Sequence, residues 1–143
     1  GWAEQALDAH DQRYYREWSH EVPPMRHPLH PIELDLHHGI RPPVGVFPVD
    51  ADALLAGVRP SAWPGWHVLQ PVDQLLHCAV HLVMDSELRD RLRDLVDLDG
   101  LLRHFGRDAA FVEALLDRAS TLGLREPLAV AARGCIAWLD TPV

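Results

Sequence analysis

Along residues 32–38 apolar and polar side chains alternate in the stretch IELDLHHG. Ile32, Leu34 and Leu36 fall on one side of an extended chain, and Glu33, Asp35 and His37 on the other. A period of two predicts a half-buried strand over residues 32–38. From Pro71 the period changes. In PVDQLLHCAVHLVMD the apolar positions Val72, Leu75, Leu76, Ala79, Val80 and Val83 recur at helical spacing, and Pro71 stands where a first helical turn tolerates it. Further helices are predicted over 86–105, over 108–123 with a Gly C-cap, and over 126–139. The breaks FGRD and LGLREP are short enough to join antiparallel neighbours.

The remaining segments are less regular. Pro23, Pro24, Pro28 and Pro31 in SHEVPPMRHPLHP remove amide donors and predict a loop or an edge. GIRPPVGVFPVD is a second loop, followed by a short helix over 51–57 with Asp50 or Asp52 near its N-cap. RPSAWPGWHVLQP is a third irregular stretch, in which Trp63 and Trp66 are expected to tuck against the core. Residues 2–18 read as partly helical, or as a strand near RYYREW. The sum is an α+β chain. A strand-and-loop part reaches to about residue 50, and a helical bundle over 51–143 packs with it as one unit.

Composition narrows the function classes. The 143 residues are 48% hydrophobic, enough for one real core and too few for two independent domains. A formal net charge of -8 argues against a surface built to hold nucleic-acid backbone. Every basic residue other than histidine is arginine, and neither lysine nor asparagine occurs, a bias fitting a GC-rich bacterial genome. Cys78 and Cys135 form no CxxC or zinc-ribbon spacing, so the reduced cytoplasm is the default location. No apolar run has the length of a membrane span. The chain opens on Gly1 instead of methionine, which suits a tag remnant, a processed chain or a fragment.

Three constellations carry candidate chemistry, each beside a plainer reading. Carboxylates two apart on a strand converge on one point, so Glu33 and Asp35 suit Mg²⁺ ligation or proton abstraction; the plainer reading is a solvated outer face. Asp73, His77, His81 and Asp85 repeat every four residues, and imidazoles at i and i+4 can share a metal, as in a metal hydrolase. Cys78 stands where a zinc protease needs glutamate, and packing is the favoured role of His77 and His81. In LRDRLRDLVDLDGLLRHFG, Arg89 and Arg93 share a face. They suit phosphate contact with Asp97 orienting, or simple i,i+4 ion pairing. No phosphate-loop, dinucleotide-loop or nucleophile-elbow motif occurs.

Taken together, YYREWSHEVPPM, IELDLHHGI, PVDQLLHCAVHLVMD and LRDLVDLDGLLR resemble an uncharacterised bacterial nucleotidyltransferase family of the polymerase-beta-like superfamily, over roughly residues 13–103. The resemblance implies the end of a mixed sheet followed by a helical domain. It implies transfer of a nucleotidyl group from an NTP to a hydroxyl acceptor, with two Mg²⁺ (or Mn²⁺) ions held by three carboxylates. IELDLHHG corresponds to the strand of the third carboxylate, with Asp35 preferred and Glu33 the alternative; His37, Arg89 and Arg93 are looser candidates for substrate contact. The family's early Gly-Ser and Asp-x-Asp pattern does not precede residue 32. The resemblance is therefore to the C-terminal portion, and this polypeptide alone is expected to be inactive. The rival expectation is a catalytically inactive helical module that binds a partner protein.

Overall fold

The first helix begins where a carboxylate can satisfy its free amides. Asp8 accepts the backbone N–H of His10 and of Asp11, both at 2.9 Å, and α1 runs over Ala9–Glu17. That decides RYYRE as helix. The computed structural model describes residues 1–84 and 91–142 and divides the chain into two units, Gly1–Ala51 and Asp52–Val143. The architecture is α+β.

In the first unit, β1 (Ala3–Glu4), β2 (Met25–His27) and β3 (His30–Leu34) form an antiparallel sheet in the order β1-β2-β3. The proline-rich stretch predicted as loop or edge thus supplies the central strand. Met25, Arg26 and His27 lie between the prolines and keep their amides, so β2 can pair on both sides. The pieces are small and pair antiparallel. The strand expected over 32–38 lies over 30–34, with one isolated bridge further on, Glu21 to His37. Its apolar side is open: Ile32 is 63% exposed and Leu36 52%. No residue of α1 is buried.

The second unit holds the core. After α2 (Ala51–Leu55), β4 (Arg59–Pro60) and β5 (His67–Val68) pair as an antiparallel hairpin. Trp63-Pro64-Gly65-Trp66 closes it: the Trp66 amide donates to the Trp63 carbonyl at 3.1 Å, and Gly65 has φ 84. Proline then a positive-φ glycine is the type II turn pattern. Trp63 and Trp66 are 74% and 71% exposed, which corrects the expectation that they tuck into the core. The hydrogen-bonded turn holds both indoles outward.

Among the described residues four helices follow, α3 (Pro71–Met84), α4 (Leu92–Phe105), α5 (Ala109–Thr121) and α6 (Arg125–Leu139). The first part of the helix expected over 86–105 falls outside the described residues. α3 packs against each of the other three. Its Leu75, Leu76, Ala79 and Val80 meet a core that includes Leu98, Leu102, Leu115, Ala119, Leu128 and Cys135, all buried. Burying each such leucine contributes about 1.5–3 kcal/mol. Among the described residues no helix is long and apolar enough to cross a membrane.

Candidate functional site

The acidic strand is positioned by a hairpin whose register slips at a proline pair. Arg26 stands opposite Glu33 in β2 and β3, and its Nη2 and Nε lie 2.8 and 3.0 Å from Glu33 Oε2. Pairing resumes past Pro23 and Pro24, where the Val22 amide donates to the Leu36 carbonyl at 2.9 Å and Glu21 bridges His37. From Met25 back to Glu21 is four residues, from Leu34 on to His37 only three, so the prolines absorb one extra residue as a bulge. Asp35 sits opposite that break. It is exposed and, among the described residues, makes no hydrogen bond or ion pair. Glu33 is engaged, but an exposed pair such as Arg26–Glu33 is worth only about 0–1 kcal/mol.

Sequence reasoning did not find what surrounds His37. Its Nε2 lies 3.6 Å from Glu21 Oε2, and its ring centroid lies 4.8 Å from that of His20. The Tyr15 hydroxyl is close enough to feel the same acids. Desolvation, then the carboxylates of Glu21, Asp11 and Asp35, push its pKa up. The prior signals were alternation continuing through His37 and the nearby clustering of His20, Glu21, His27 and His30; the return partner comes from a stretch that reads as loop.

On α3, Asp73 is fully buried and committed to packing. Arg118 Nε and Nη2 grip its two oxygens at 2.8 and 3.0 Å, Gln70 Nε2 adds a bond at 2.8 Å, and Arg118 Nη2 also donates to the Ala53 carbonyl at 2.7 Å. The first acid of the four-residue repeat is thereby consumed, and Asp85 lies outside the described residues. His77 and His81 follow on the helix with ring centroids 6.0 Å apart. At His81 the neighbour is a cation: Arg91 Nη1 lies 3.1 Å from Nδ1 and 2.8 Å from Asp94 Oδ2. The hydrogen bond from Arg91 holds the Asp94 carboxyl below the usual range against an opposing desolvation. Asp94 Oδ2 also lies 3.5 Å from His81 Nδ1, so the imidazole sits beside both charges. Arg93 is exposed, and Arg89 lies outside the described residues.

Neither cysteine is an activated nucleophile. Burial, then Asp97 and Asp94, raise the Cys78 thiol, and burial first, then Asp99, pushes Cys135 up to about 11.

Three carboxylates around two ions would need oxygen atoms gathered within a few ångströms. Among the described residues, three candidate ligand groups come within 4.8 Å of one another at Asp8, His10 and Asp11, where Asp8 already caps α1. Asp35 belongs to no such group. It fits one coordination position, and the described residues do not complete a two-ion site around it.

No curated protein and no solved structure matches the chain. A family model does, described as uncharacterised nucleotidyltransferase and covering residues 1–140. With the acidic hairpin and the helical bundle both inside that match, the chain belongs to this uncharacterised nucleotidyltransferase family.

Proposed function

We propose that the protein takes part in nucleotidyl transfer from a nucleoside triphosphate to a hydroxyl-bearing acceptor, with Asp35 as the carboxylate this chain contributes to the reacting centre. The observation that supports it is Asp35 itself, exposed, opposite the proline bulge and without a hydrogen-bonding partner among the described residues of a family member. Glu33 is the alternative, since freeing it from Arg26 costs little. A bound Mg²⁺ or Mn²⁺ ion would neutralise phosphate charge and acidify the acceptor hydroxyl. Asp35 would supply one ligand to such an ion, and the other ligands would lie outside the described residues. His37, kept beside Glu21, is the substrate-contacting candidate on this unit.

The test is transfer of label from an α-³²P-labelled nucleoside triphosphate by the natural full-length gene product. Asp35→Ala is expected to lower kcat by at least about a hundredfold, the scale of losing a charge-stabilising group in the transition state. Glu33→Gln is expected to change it less than tenfold. Equal activity of Asp35→Ala and wild type would refute the role.

A second reading, a non-catalytic module that binds a partner protein, is favoured by a carboxylate set not assembled among the described residues and by an open apolar groove on the helical unit. That groove of about 290 Å³ lies among α4, α5 and α6, between Leu102, Phe111, Leu116, Leu128 and Ala132. Full-length protein that binds nucleotide yet never transfers label would select it.

A further inference from the structure

Arg41 lies in the loop that leaves the paired stretch, close along the chain to Asp35, and is half-buried. Its Nε is sealed from solvent and meets no acceptor. No described residue forms a hydrogen bond or ion pair with this guanidinium. Other arginines are engaged: Arg16, Arg26, Arg91, Arg103 and Arg118 each meet a carboxylate. A buried donor left unsatisfied is costly, so one retained in a folded chain needs a reason.

Two glycines flank it at van der Waals distance. The Cβ direction of Gly39 points at the Arg41 carbonyl, 3.4 Å away, and at the Cβ of His20, 3.8 Å away. His20 in turn rests against His37. On the other side, Gly45 has φ 150, and its open Cβ position lies 3.5 Å from Arg41 Nη2. A side chain there would be strained by the positive φ and would lie in van der Waals contact with the guanidinium. The loop thus keeps space beside a cation that no described residue neutralises.

We propose that Arg41 is the phosphate-receiving residue of this chain. Its planar fork matches two oxygens of one phosphoryl group. Turning the guanidinium toward that anion breaks no existing hydrogen bond and ends the isolation of Nε, so binding has little to offset. The shared chemistry is a phosphate oxyanion. That it comes from the nucleoside triphosphate, or from the pyrophosphate that leaves, rests on the nucleotidyl-transfer reading.

The experiment is calorimetric titration of the full-length protein with ATP, pyrophosphate, inorganic phosphate and adenosine, in wild type, Arg41→Met and Arg41→Lys. Arg41→Met is expected to weaken ATP and pyrophosphate at least tenfold with adenosine unchanged, and Arg41→Lys to fall between. Without ligand, the melting temperature of Arg41→Met should stay level or rise, since an unsatisfied donor has been removed. A clear drop in melting temperature would make Arg41 structural and overturn the assignment. Affinities within twofold of wild type, or wild type binding neither ATP nor pyrophosphate, would also overturn it. Inorganic phosphate bound as tightly as ATP would overturn the nucleotide as source. Label transfer separates the two ideas: pyrophosphate held through Arg41 without transfer sinks the function reading alone, and transfer with Arg41→Met binding normally sinks this one alone.

Discussion

The two units treat their charges in opposite ways. In the helical unit Asp73 is fully buried and met there by Arg118 and Gln70. In the strand-bearing unit only Ser19 and Pro23 are buried, and Glu33, Asp35 and His37 stand in water. A buried ion pair is bound up with one fold, because breaking it strands a charge. A solvated acid constrains nothing and stays available to a ligand. The contrast places buried, paired charge in the helices and solvated charge on the hairpin.

The sharpest way to break that contrast is at Arg118. Arg118→Ala is expected to destabilise the helical unit by about 3–5 kcal/mol, the cost of an abandoned buried charge, read as an earlier loss of helical circular dichroism in urea. A loss under 1 kcal/mol would show Asp73 reaching water after all. Next comes acid. Arg103 and then the Thr141 hydroxyl, 2.6 Å from Oδ1, hold the Asp99 carboxyl below its usual range, and Asp94 is lowered by Arg91. A folded-state pKa below the unfolded value gives stability that is present above the unfolded pKa, about 3.9, and lost as pH falls through the folded one. Asp99→Asn should therefore lower stability at pH 7 and flatten its decline below about pH 4. An unchanged acid limb would remove Asp99 from the account. The smallest effect is expected in the other unit, where Ile32→Ser should shift stability by less than about 0.5 kcal/mol because the side chain is already exposed. A larger loss would mean that β3 is covered in solution and that the contrast is overdrawn.

The helices were legible because Leu75, Leu76, Ala79 and Val80 repeat at a period the core enforces, and Asp108 announces α5 by accepting the Ala110 amide at 3.0 Å. Leu34 belongs to a strand as its alternation implied, but the strand's start at His30 and the role of β2 were hidden. Both depend on which amides survive between prolines, a matter of pairing across the chain. The tryptophans misled for a related reason. Aromatic bulk suggests burial, whereas the Pro64-Gly65 turn sets direction. At the site, Asp35 and His37 could be singled out from local order alone. Glu21, His20 and Arg41 could not, because their meaning comes from what they meet, or fail to meet, across a turn. Asp73 looked like a ligand until Arg118, distant in sequence, took both its oxygens.

The outward-held indoles have a practical consequence for anyone following this molecule by light. Trp63, Trp66 and Trp138 are 74%, 71% and 78% exposed, and Trp2 and Trp18 are 36% and 42% exposed. All five emitters already sit at or near water when the chain is folded. Intrinsic emission should thus start red-shifted and scarcely move as the leucine core melts, while a ligand or partner that covers the Trp63–Trp66 turn should shift it blue at once.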